Sequence, residues 1–168
     1  MYNVKDDLKN IKAEAVEICD LLEIATLPLA VKSESEVEIF KASPTCKACV
    51  EVEVDNTGNE KIKGVYIRNN QADRVNCLFN LVHELRHVWQ HKNGLLNSTN
   101  YTERNETDSV GKYNEQFAEI DAHAFAVAYM LAEFGVRMKL EASKMTQDTM
   151  QRIEQRVQEI LHEYWEMV

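Results

Sequence analysis

Leu81-Val-His-Glu-Leu-Arg-His-Val-Trp-Gln90 places two histidines four residues apart, with a glutamate directly after the first. On an α-helix at about 100° per residue, taking His83 as zero puts His87 near 40°, so both imidazoles leave one side. A single metal ion needs that geometry. On the same wheel Leu78, Leu81, Leu85, Val88 and Trp89 fall between about 140° and 240°. The spacing therefore predicts a helix over residues 73–91, with its back in the core and its histidines in a cleft.

Glu84 falls near 100° on that wheel, beside the two imidazoles but offset from them. HExxH zinc hydrolases use a glutamate so placed as the general base toward a zinc-activated water. Two histidines hold zinc poorly, and a catalytic site usually has three protein ligands and an open position. A third ligand must come from further along the chain.

Candidates lie in Tyr113-Asn-Glu-Gln-Phe-Ala-Glu-Ile-Asp-Ala-His-Ala-Phe-Ala126: Glu115, Glu119, Asp121 and His123. Glu119 and Asp121 point about 160° apart, so one first coordination shell cannot hold both. Glu119 shares its face with Gln116, His123 and Ala126, and Asp121 shares its face with Phe117, Ala124 and Ala128. Helical geometry leaves the choice between these faces open.

HELRH followed by AEIDAHAFA resembles the ImmA/IrrE-like metallopeptidases, compact zincins whose second helix carries Glu-x-x-Ala-x-x-Phe-Ala; Glu119, Ala122, Phe125 and Ala126 match it. The resemblance spans roughly residues 35 to 135 and implies a gluzincin with Zn2+ on His83, His87 and Glu119. It implies that Glu84 is the catalytic base of an endopeptidase acting on a protein or peptide substrate. Asp121 then becomes a buried acid in need of a partner, a candidate for a hydrogen bond behind the ligands. An oxyanion donor is also expected, and Tyr113, Tyr101 and His123 are its candidates. Where relatives commonly follow Phe-Ala with Leu-Leu-Met-Pro, this chain has Ala128-Tyr-Met-Leu-Ala132 and no proline. No helix-turn-helix is attached, so the DNA-damage and repressor-cleavage roles of some relatives do not carry over. The alternative function is a non-catalytic, zinc-stabilised protein-interaction module on the same scaffold.

Working outward, apolar Val4, Leu8, Ile11, Ala15, Ile18 and Leu22 predict a helix over about residues 4–25, ending before Pro28. Three extended candidates follow, Val37 to Lys41, Cys49 to Val54 and Ile62 to Arg68, with Asp55 to Glu60 as a hairpin turn. Lys63 to Asn69 is a candidate edge for an added peptide strand, with an ordinary core strand as the equal alternative. Residues 92–112 are polar and aperiodic, a loop long enough to suggest a lid or rim. Residues 114–135 predict a helix buried on most sides, and 146–167 a last helix with a core stripe that is also a candidate dimer contact. The expected fold is α+β, a mainly helical zincin-like single domain over residues 1–168 with a small three-stranded antiparallel sheet before the HExxH helix.

The 168 residues are enough for a self-sufficient core, and the formal charge of -9 repels a phosphate backbone, which argues against nucleic acid as a partner. No apolar run approaches a membrane span or a signal peptide, so a cytoplasmic protein without a membrane is expected. Cys46 and Cys49 form a lone CKAC, but no second pair completes a zinc knuckle and no βαβ pattern suggests a redox site. They are expected to be surface thiols near a turn. His91 drifts to about 80° and reads as a helix-end residue, His162 as solvated, and Trp89 and Trp165 as packing residues.

Overall fold

The computed structural model describes residues 1–102 and 110–167, and its fold is α+β. Two compact units divide the chain, Met1–Asn93 and Gly94–Val168. Among the described residues no helix is long and apolar enough to cross a membrane.

The first unit begins with strand β1 (Tyr2–Asn3), a single 3-10 turn (Val4–Asp7) and helix α1 (Leu8–Leu21). The predicted stripe is the buried one, with Val4, Ile11, Ala15, Ile18 and Leu22 inside. The helix stops short of residue 25 because Glu23 turns left-handed, at φ 52°. The Glu23 N–H then donates to Asp20 O at 3.1 Å and the Ile24 N–H to Cys19 O at 3.0 Å. That paired closure satisfies the last carbonyls and ends the helix.

Strand β2 (Leu29–Lys32) follows Pro28, and helix α2 (Glu38–Ala42) occupies the stretch read from sequence as extended. The correction has a local cause and a tertiary one. Lys41 pairs with Glu38 one turn away at 2.8 Å, and Arg68 donates to Phe40 O at 2.5 Å and Ser43 O at 3.2 Å, satisfying carbonyls at the helix end. The Arg68 guanidinium also lies 4.9 Å from the centre of the fully buried Phe40 ring.

Strands β3 (Ala48–Val54) and β4 (Glu60–Arg68) form the expected hairpin. Its turn is closed by Asp55 Oδ1, which accepts from the main-chain N–H of Thr57 at 2.8 Å and of Asn59 at 3.0 Å. The Thr57 hydroxyl, then the N–H groups of Asn59 and Thr57, hold the Asp55 carboxyl down at about 2. The sheet order is β2-β4-β3, with β2 parallel and β3 antiparallel to β4. The sheet is therefore mixed, not antiparallel, and β4 is central. From Val65 to Arg68 both of its edges are paired, so this part of the candidate edge Lys63 to Asn69 is core strand with no row of backbone groups to offer a peptide. Strand β3 lies at an edge, where Val52 and Val54 are 40% and 58% exposed and their alternation marks no core face.

Gly64 sits where β4 meets the carbonyl of Pro28, which accepts from the Val65 N–H at 2.9 Å. A Cβ at position 64 would stand 2.6 Å from that oxygen. Backbone cannot swing aside as a side chain does, so Gly64→Ala is expected to lower stability by about 1–3 kcal/mol. A urea midpoint unchanged from wild type would show that β2 shifts at no cost.

Strand β5 (Asn70–Gln71) pairs with β1, and helix α3 (Arg74–Lys92) begins at once. Asp73 caps it, its Oδ1 accepting from the Asn76 N–H at 2.7 Å. Cys77, Leu78, Leu81, Val82, Leu85 and Val88 are buried, and the helix packs on α1, β3 and β4. Trp89 packs as expected, with the Arg86 guanidinium 3.7 Å over its ring. None of the four cysteines is in a disulfide. Cys46 and Cys49 are half-buried beside the β3 start, while burial pushes the Cys77 thiol up to about 12.

In the second unit, residues 103–109 of the predicted loop lie outside the described residues. The loop ends earlier than the spacing suggests, at helix α4 (Val110–Asn114). Helix α5 (Phe117–Phe134) starts after a break at Gln116, so residues 114–135 are not one helix. The Gln116 side chain explains the break: its Nε2 donates to Thr102 O at 2.9 Å, and its Oε1 accepts from the Thr102 N–H at 2.8 Å. Gly135, at φ 65°, closes α5. Helix α6 (Gln147–Trp165) is capped by Thr146, and its stripe of Ile153, Val157, Ile160 and Leu161 is buried and packs on α5.

Candidate functional site

Helix α3 carries His83, Glu84 and His87. Its apolar back fixes the rotation of the helix, and the histidine face follows from that rotation. His83 and Glu84 are half-buried, and His87 is buried. The two rings meet edge to face, with Nε2 of His87 3.0 Å from Nε2 of His83. Two ring nitrogens at that separation need a proton or a cation between them, because opposed lone pairs repel.

Zinc fits this pair. With Zn–N bonds of about 2.0–2.1 Å, two imidazoles on a tetrahedral ion stand about 3.3 Å apart, close to the separation already present. His87 is also anchored from behind, its Nδ1 lying 2.8 Å from Gln90 Oε1. Gln90 was not singled out in the sequence, although it shares the face of His83 at about −20° on the wheel. His91 takes no part: its Nε2 faces Glu60 Oε2 at 3.1 Å, at the last turn of α3.

In the second unit, Glu119 is buried on α5 and is gripped from outside the helix. The Tyr101 hydroxyl donates to Glu119 Oε1 at 2.5 Å, and the Tyr101 and Tyr113 hydroxyls share a hydrogen bond. Burial first, and then the charge of Glu119, push the Tyr113 phenol well above its usual range. Tyr113 therefore remains a hydroxyl donor at any physiological pH. His123, one turn along, donates from Nδ1 to the main-chain oxygen of Glu119 at 2.8 Å, and that nitrogen is 3.8 Å from Glu119 Oε2.

The structure thus gathers Tyr101, Tyr113, Glu119 and His123 in one cluster. Asp121, also buried, points elsewhere and meets Arg156 of α6, whose Nε donates to Asp121 Oδ1 at 2.9 Å. Sequence spacing named Asp121 as an acid in need of a partner but could not find Arg156, 35 residues on. His162 is exposed.

Within the first unit, α3 offers two imidazoles with facing nitrogens and a carboxylate next to them in sequence; the second unit, taken by itself, holds a carboxylate oriented by a phenol. Borderline-soft divalent zinc takes nitrogen and carboxylate oxygen donors of this kind. Compared with known proteins, the chain matches no family model, no curated protein and no solved structure.

Proposed function

We propose that the chain is a zinc-dependent endopeptidase in which His83, His87 and Glu119 hold the metal and Glu84 is the general base. The observation that carries this reading is the pair of imidazoles whose Nε2 atoms face each other at 3.0 Å. The resemblance to ImmA/IrrE-like metallopeptidases supplies the choice of Glu119, and the grip of Tyr101 on that carboxylate supports it. Zinc held there would polarise the scissile carbonyl and the attacking water. Glu84 takes the proton from that water and delivers it to the leaving amine. Tyr113 and His123 are the donors proposed to steady the developing oxyanion.

A second reading is a non-catalytic, zinc-stabilised interaction module. His123 favours it, because its ring lies against Glu119 and a fourth protein donor closes a zinc site to substrate. Both readings share one requirement, which is zinc. Elemental analysis of the full chain, purified without chelator or histidine tag, is expected to find about one zinc per chain, lost on His87→Ala. Protein that folds and stays free of zinc after equilibration with it overturns both.

A further inference from the structure

Gln90 is fully buried, although a carboxamide taken out of water needs hydrogen bonds to offset the cost. It follows His87 by three residues on α3 and turns its Oε1 onto His87 Nδ1 at 2.8 Å. A carboxamide oxygen only accepts, so the ring proton sits on Nδ1. In the neutral imidazole Nε2 is then the lone-pair nitrogen, and it is Nε2 that faces His83. His91, the other histidine at the end of this helix, has Glu60 as its partner instead.

We propose that Gln90 is a positioning residue of the metal centre: it selects the Nδ1–H tautomer of His87 and fixes the ring so that Nε2 is presented as a ligand. This rests on the zinc reading given above. The device is a buried amide rather than a carboxylate, so it orients the ring without adding a negative charge to the site. Met in its place keeps the length and volume of the side chain and removes the acceptor, whereas Glu keeps the acceptor and adds charge.

The test has one arm without metal and one with it. In the metal-free full chain, nitrogen-15 imidazole spectra are expected to show His87 as the Nδ1–H tautomer, and Gln90→Met to show a mixture. A wild-type His87 protonated on Nε2 alone overturns the proposal. In chelator competition, Gln90→Met is expected to bind zinc about 10–100-fold more weakly, with Gln90→Glu restoring wild-type affinity or exceeding it. Equal affinity for wild type and the Met variant overturns it. Should the Met variant fail to fold by circular dichroism, Gln90→Glu decides, and tenfold weaker binding by that variant counts against the proposal. If wild type binds no zinc, the metal reading fails, and the tautomer spectra still decide whether Gln90 sets the His87 ring.

Discussion

Glu84→Gln is expected to lower peptide hydrolysis by at least about a hundredfold while zinc content stays at the wild-type level, because a positioned general base is worth about 10²–10⁴ in rate. Glutamine keeps the shape of the side chain and its acceptor oxygen but cannot take a proton at neutral pH. Glu84 is half-buried and lies off the apolar back of α3, so a polar-for-polar change of the same size leaves the core of Leu81, Leu85 and Val88 untouched. The measurement is cleavage of a quenched fluorescent peptide library, with zinc determined on the same samples. Activity equal to wild type would remove Glu84 from the mechanism. Loss of zinc together with activity would instead make Glu84 part of the coordination, which its offset of about 100° from His83 argues against. If wild type binds zinc and cleaves nothing in the library, the interaction-module reading gains, and His123 becomes the residue to examine.

The helix with the two histidines was legible because its information is local. Its apolar back of Leu78, Leu81, Leu85 and Val88 repeats with the helical period, and the structure buries all four. What sequence missed is non-local or too short for a period. Helix α2 is little more than one turn long, and its Ile39 and Phe40, after the extended Val37, read equally well as a strand until Arg68 closes its end. Strand β2 has four half-buried residues without alternation. The central place of β4 depends on β2 pairing across an intervening helix and strand, which no local pattern records. At the candidate site the same division holds. His83, Glu84 and His87 declare themselves by spacing, while Glu119 and Asp121 lie on two faces of a helix buried nearly all round. Their partners separate them, Tyr101 on one side and Arg156 on the other, and both come from distant stretches.

That division of α5 into two faces predicts what Phe125→Ala does. Phe125 is fully buried, with its ring centre 5.4 Å from Tyr164 and 6.2 Å from Trp165, both on α6. It lies about 40° from Asp121 on the helical wheel and about 120° from Glu119, so it belongs to the α6-facing side. Removing a buried ring leaves a cavity and forfeits its contacts, and the expected loss is about 3–5 kcal/mol, read as a lower urea midpoint. Phe125→Leu refills part of that space and should cost less. A loss below about 1 kcal/mol for the Ala variant would mean that α5 and α6 close over the gap, since collapse of the site sets the cost. Zinc affinity measured on the same variant separates two roles for Phe125. Affinity kept in the folded variant makes Phe125 a packing residue of the α5–α6 pair alone. Affinity lost in step with stability means that α6 must hold α5 rigid for Glu119 to present its carboxylate.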